Sequence, residues 1–264
     1  AYLQGGMKAA ERRALLKEVK SGAAGVVIGT HALFSPDVEF KALGLMIIHE
    51  EHRFGVKQKE ALRGKAAQGV HSVSMSATPI AVAMYGEGTE VVNIRTLPNG
   101  RKPVKTILYS NEEKVYQSMM NQIGTGHQCY VVCPLIEESD NDTLSDVDSV
   151  ETTMQKMTAW FGKFPQVQIE ALTGEMKPEQ MTAVIDRFAA GQTHILVSTT
   201  VVEVGVNVPN ATVMLIKNAE RFGLAQLHQL RGRVGRSDLQ SYCVLLSDKT
   251  DNERLNTMTA TNDG

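Results

Sequence analysis

The sequence predicts an α/β fold of mainly parallel sheets covered by helices, and three observations predict it. Short β-branched runs recur along the chain, and their near-continuous apolar character fits strands covered on both faces. Longer amphipathic stretches separate them, the pattern of right-handed strand–helix–strand crossovers. The composition, 42% hydrophobic and 21% charged over 264 residues, excludes disorder as the main state.

In chain order, the spacing predicts a helix over residues 8–20 and buried strands over 25–28, 45–48 and 73–75. Residues 96–103 then place Pro98, Gly100 and Pro103 between periodic segments, which marks a linker. The expected division is therefore residues 1–98 and 99–264. Beyond it, strands are expected at 104–108, 130–132, 167–171, 195–197, 213–216 and 243–246. Helices are expected at 111–123, 150–161, 178–190 and 224–231. Residues 137–151 carry seven acidic side chains and no basic one, which suits a solvated loop leading into a helix.

The formal net charge of −2 excludes a global basic field, so any nucleic acid must be held by local basic clusters. Cys129, Cys133 and Cys243 are odd in number and lack ligand-pair spacing, which argues against a disulfide framework or a zinc ribbon and suits a reducing compartment. No apolar run reaches the ~20 residues of a membrane helix, and the first residues do not read as a secretory signal. The expectation is a cytoplasmic monomer without membrane contact.

The most informative segment is residues 226–236, Gln-Leu-His-Gln-Leu-Arg-Gly-Arg-Val-Gly-Arg. Arg231, Arg233 and Arg236, spaced by glycines, are not expected to form a core helix face. The apolar Phe222 and Leu224 before them would anchor the segment and fix the guanidinium groups. Rigid arginines suit phosphate recognition and charge developing on a transferred phosphoryl group.

Residues 229–236 resemble the final motif of superfamily 2 helicases, in the form carried by the RecG type. The resemblance runs nearly end to end. Residues 29–33 (Gly-Thr-His-Ala-Leu) resemble the early DNA-contacting motif, and 50–56 (Glu-Glu-His-Arg-Phe-Gly-Val) the Walker B segment. Residues 76–80 (Ser-Ala-Thr-Pro-Ile) resemble the coupling motif, while 172–178 and 199–206 match second-lobe motifs. Residues 133–139 and 261–264 favour the RecG type over the related transcription-repair coupling factors.

The resemblance implies two RecA-like lobes that enclose ATP with Mg²⁺ and act on branched or duplex DNA, in fork repair and recombination. Carried over residue by residue, it implies Glu50 as the base orienting the attacking water. Arg233 and Arg236 would reach the phosphates, and Gln229 would sense the nucleotide state. His49, Glu51, His52, Gly205 and Asn207 would lie on the nucleotide side. Ser76, Ala77 and Thr78 would couple hydrolysis to lobe movement. Gly29, Thr30, His31, Thr199 and Thr200 would follow the DNA track; the alternative for each threonine is a strand-end hydroxyl satisfied by its own backbone.

The sequence also departs from that family. It holds no Gly-x-x-x-x-Gly-Lys-Ser/Thr, so the backbone cradle for phosphates and the metal-binding hydroxyl are missing from these 264 residues. The first lobe is therefore expected to be incomplete, with the chain starting downstream of that loop, and ATP hydrolysis by this chain alone is not expected. His49 stands where the family has the Mg²⁺-holding aspartate, and imidazole is a poor ligand for a hard ion. His49 and His52 are three apart after a strand, not four apart on a helix, so no zinc site is expected. Asn207 replaces a usual aspartate, and the stretch after Ile80 is shortened. A catalytically dead DNA- or protein-binding module and a coupling-factor-like translocase are the alternatives.

Overall fold

Parallel pairing of the apolar runs organises both parts of the chain. The computed structural model describes residues 1–50, 54, 58, 61, 64, 70–75, 90, 92, 94, 100–134, 149–199 and 208–261. The chain divides into two units, Ala1–Thr89 and Glu90–Gly264.

In the first unit, β1 (Tyr2–Leu3) pairs in parallel with β2 (Ile28–Gly29), and α1 (Ala9–Ser21) connects them. Leu3, Ala32 and Val38 form a small core with Leu15, Leu16, Leu33 and Phe40. Gly29 serves this packing: a Cβ there would sit 2.4 Å from the Leu3 carbonyl oxygen and 2.8 Å from the Leu33 side chain. A second pair joins β3 (Leu45–His49) to β4 (His71–Met75), in parallel from Leu45↔His71 to His49↔Met75.

Three expectations are corrected here. The first strand after α1 begins at Ile28 rather than residue 25, and neither it nor β3 and β4 is buried on both faces. Val26, Ile28, Leu45, Ile47, Val73 and Met75 are all exposed. The physical reason is that a sheet face is buried only by elements packed onto it, and among the described residues β3 is partly covered on one face while β4 is exposed along its whole length.

The second unit alternates strand and helix throughout. Its elements are β5 (Lys105–Tyr109), α2 (Glu112–Gly124), β6 (Gln128–Cys133), α3 (Val150–Phe161), β7 (Ile169–Leu172) and α4 (Pro178–Ala189). They are followed by β8 (Ile195–Thr199), β9 (Ala211–Ile216), α5 (Leu224–Arg231), β10 (Tyr242–Leu246) and α6 (Glu253–Ala260). All six strands are parallel, in the order β5-β10-β9-β6-β8-β7.

Local chemistry sets the helix starts. Asn111 Oδ1 accepts from the Lys114 amide at 3.0 Å, and Ser149 Oγ from the Thr152 amide at 3.1 Å, each meeting one of the donors a helix leaves unsatisfied. Period-two alternation then sorts β6 between two cores. Tyr130 and Val132 join Val184, Phe188, Leu227, Leu255 and Met258 on the face covered by α4, α5 and α6. Cys129, Val131 and Cys133 join Val115, Met119, Met157 and Phe161 on the face covered by α2 and α3. Each fully buried Leu or Ile of this sheet contributes roughly 1.5–3 kcal/mol relative to an exposed one.

The expected linker residues 96–99 lie outside the described residues, as do 137–148 of the acidic stretch. The helix α6, the strand β1 and the 3₁₀ turns His31–Phe34 and Ala219–Arg221 were not expected from the sequence.

Candidate functional site

The arginine segment leaves α5 through a tight stop. The Gly232 amide donates to the His228 carbonyl oxygen and the Arg233 amide to that of Leu230, both at 3.0 Å. Val234 is buried in the core and anchors the loop. Gly235 has φ 74° and lies so near the Val104 side chain that a Cβ would approach it to 2.5 Å, so glycine is required there twice over. Ser237 Oγ donates to the Pro209 carbonyl oxygen and Gln240 Nε2 to that of Pro103, both at 3.0 Å. Pro103, Pro209 and Val104 directly precede β5 and β9, so the loop is pinned at the N-terminal edge of the sheet.

Arg233 and Arg236 are both half-buried. Burial, followed by the charge of Arg233, pulls the Arg236 pKa below its ordinary value; Tyr130 opposes this and Arg101 adds to it. Burial pushes the Tyr130 phenol up to about 12, against the pull of Arg236 and Arg233. A half-buried Arg236 with Arg233 as a cationic neighbour is relieved by an anion, which makes this cluster a phosphate-binding candidate. Arg101, inside the expected linker, and Tyr130, inside a strand, carried no signal that sequence reading could separate from their surroundings. Gln229 is half-buried on α5, one turn before Arg233.

Arg231 corrects an expectation. It is only 4% exposed, and its guanidinium donates to the carbonyl oxygens of Met258 (3.2 Å) and Thr261 (2.7 Å). Position 231 follows buried Leu227 by one helical turn and so shares its inward face, whereas Arg233 and Arg236 come after the helix stop at Gly232.

In the first unit, His49 ends β3 and is exposed, and Glu50 follows with φ 56° and a half-buried side chain. Thr30 and His31 are exposed at the start of the 3₁₀ turn, and no hydrogen bond from the Thr30 side chain caps that turn. In the second unit, Thr199 closes β8 at the C-terminal edge of the sheet, in register with Cys133. It therefore stands a strand length, ~16 Å, from the edge that holds the arginine loop. Glu51, His52, Ser76, Ala77, Thr78, Thr200, Gly205 and Asn207 lie outside the described residues. Among the described residues, no group of three or more His, Cys, Asp or Glu converges as a metal site would require. Nor, among them, is any helix long and apolar enough to cross a membrane.

In open α/β sheets ligands usually sit where neighbouring strand connections diverge. Here that point lies between β9 and β6, and Lys217 beside it is wholly buried. Its Nζ pairs with the Glu112 carboxylate, which also accepts from the Tyr116 hydroxyl and lies 4.0 Å from Lys156 Nζ. The crevice end of the central strand is thus braced by an internal ion pair.

Residues 110–238 match the family model of the helicase conserved C-terminal domain. The ATP-dependent DNA helicase RecG of Staphylococcus epidermidis (strain ATCC 12228 / FDA PCI 1200) is 46% identical over 273 residues, covering 100% of this chain and 39% of that protein. RecG of Staphylococcus aureus (strain NCTC 8325 / PS 47) is 45% identical over the same span, with the same coverage. The chain thus spans 39% of the length of these curated relatives. A solved structure of RecG bound to a three-way DNA junction aligns with TM-score 0.64 and 37% identity, covering 100% of this chain and 34% of that one. Mycobacterium smegmatis helicase Lhr, solved with ssDNA and AMP-PNP, shares the fold at TM-score 0.56 and 19% identity, over 94% of this chain and 34% of that one. With a six-stranded parallel sheet of the RecA-like helicase type, the second unit matches the helicase conserved C-terminal domain, and the whole chain is similar to a part of RecG.

Proposed function

We propose that this chain supplies helicase-core surfaces of a RecG-like ATP-dependent enzyme that remodels branched DNA. Similarity to RecG along the whole chain carries this reading, since it takes in both units rather than one shared domain. Residues 1–98 act as part of the first RecA-like lobe and 99–264 as the second.

Arg233 and Arg236 are the groups that bind the nucleotide phosphates. Their clustered, partly desolvated charge fits a triphosphate. ATP, when bound, supplies the anhydride whose hydrolysis drives movement. The chain's own part is to hold the phosphates through Arg233 and Arg236, to read the nucleotide state through Gln229 and to orient water through Glu50. Thr30, His31 and Thr199 hold DNA phosphates, with the sequence-independent, salt-sensitive affinity typical of backbone contacts. By itself the chain binds without hydrolysing, because no phosphate-cradling loop lies within these 264 residues.

The test is fluorescence anisotropy with a three-way junction and a linear duplex of equal length, at low and physiological salt. Tighter binding of the junction, weakening steeply with salt and little changed by Arg233→Ala/Arg236→Ala, supports the reading. Equal or absent binding of both DNAs would refute it, and a large loss in the arginine variant would move those residues from the nucleotide to the DNA.

A further inference from the structure

Two arginines on neighbouring helices reach past one another. Arg231, in the last turn of α5, donates to the carbonyl oxygens of Met258 (3.2 Å) and Thr261 (2.7 Å), at the C-terminal end of α6. Arg254, in the first turn of α6, donates to the carbonyl oxygens of Glu220 (2.9 Å) and Phe222 (3.5 Å), which lead into α5. The last carbonyls of a helix have no partner within it and carry partial negative charge, so a guanidinium there is matched in geometry and in sign.

Arg231 is taken almost wholly out of water, and a buried charge requires partners of this kind. His228 Nδ1 completes its set at 3.0 Å from Nη2. Arginine offers donors only, so that ring nitrogen accepts. α6 also packs against α5, the Ala219–Arg221 turn and β5.

We propose that Arg231 and Arg254 form a crossed clasp that makes α6 and the arginine segment one body, so that α6 sets the positions of Arg233 and Arg236. Both are positioning residues. The clasp is independent of what Arg233 and Arg236 bind, and it can hold whether or not the helicase reading does. Its signature is coupling: loosening α6 at Arg254 must loosen the backbone after Gly232.

Native-state hydrogen exchange on the full chain reads this at three amides with known partners. These are Arg233 (to the Leu230 oxygen, 3.0 Å), Val234 (to Arg231, 3.3 Å) and Thr261 (to Thr257, 3.2 Å). The amides of Met214 and Leu215 in the central strand β9 serve as the reference for global unfolding.

Arg254→Met, which removes two hydrogen bonds, is expected to speed exchange at all three amides about threefold, and Arg231→Met, which removes three and buries no charge, about tenfold. The double variant should fall short of the product of the two, because either change opens the same clasp. If Arg231→Met does not fold, Arg231→Lys, which keeps the charge on a single donor nitrogen, enters the cycle in its place with a smaller effect. Three results overturn the proposal: Arg233 and Val234 unchanged in Arg254→Met, multiplicative effects in the double variant, or equal acceleration at Met214 and Leu215.

Discussion

The Glu50 amide donates to the Met75 carbonyl oxygen at 2.8 Å, tying the residue after β3 to the last residue of β4. The bond is made with Glu50 at φ 56°, a left-handed conformation that costs a non-glycine residue roughly 1–2 kcal/mol. Strain of this kind concentrates at functional sites. Comparing two substitutions isolates the backbone contribution: Glu50→Val should be less stable than Glu50→Gly by at least about 1 kcal/mol in urea denaturation. Equal stabilities would show that position 50 is not held at positive φ in solution.

On the proposed reading, the missing phosphate cradle limits catalysis by the isolated chain more than the residue at position 49 does. Restoring an oxygen ligand with His49→Asp should therefore leave phosphate release from ATP at background, with or without branched DNA. Losing even one preorganised donor costs roughly 3–4 kcal/mol in barrier height, and the cradle supplies several. Turnover in His49→Asp that disappears on adding Glu50→Gln would reverse this ranking.

Lys217 is a wholly buried charge of the second unit. Lys217→Met should destabilise the chain by about 3 kcal/mol, because the Glu112 carboxylate loses its buried partner. Adding Glu112→Gln should recover much of that loss, since the uncompensated charge is then gone. Thermal unfolding of the two single variants and the double variant measures this, and a double variant as damaged as Lys217→Met would rule out charge as the cause.

Acid should weaken the anchor between α4 and β7. The Arg187 guanidinium, hydrogen-bonded at 2.6–3.2 Å, holds the Glu170 carboxyl below its ordinary pKa; burial opposes this and the Thr193 hydroxyl assists. A depressed carboxyl pKa contributes stability above its unfolded value and loses it as the pH falls through the folded one. Glu170→Gln should accordingly lower Tm at pH 7, and the gap to the parent should close between about pH 5 and 3. Arg187 is exposed and Glu170 only half-buried, so the gap should be small and shrink further in salt. A gap that stays constant down to pH 3 would contradict the assignment.

None of the cysteines should react in the native state. Cys129, Cys133 and Cys243 are all buried and free. Burial raises the Cys129 thiol well above its ordinary pKa and pushes Cys243 up to about 12, although the Arg231 charge pulls the latter down. Thiol labelling in native buffer should wait for unfolding, and rapid modification of any one would contradict the sheet packing described here.

The second unit was the more legible half of the chain. Its strands pack on both sides, so runs such as 195–197 and 213–216 are continuously apolar, and the helices over 150–161 and 224–231 fall where the periodicity puts them. α6 escaped because Leu255 and Met258 are its only inward apolar residues, too few to register as a stripe. β3 looks just as apolar as the central strands, but hydropathy alone does not reveal what will cover a strand's faces. Within the site, the loop with Arg233 and Arg236 was legible from its glycines. The inward turn of Arg231 was not, since its partners are backbone carbonyls that any sequence could supply.

The side-chain bond from Gln240 to Pro103 closes a separation of 137 residues, and the neighbouring pair β5 and β10 spans the whole second unit. Contacts that distant carry the largest loop-closure entropy, so the pairing of β5 with β10 is expected late in folding. Gly235 rests on Val104, directly ahead of that strand. The floor beneath the arginine loop is then expected to be laid late in assembly. A chain emerging from the ribosome would then display no ordered arginine loop until β10 had paired with β5.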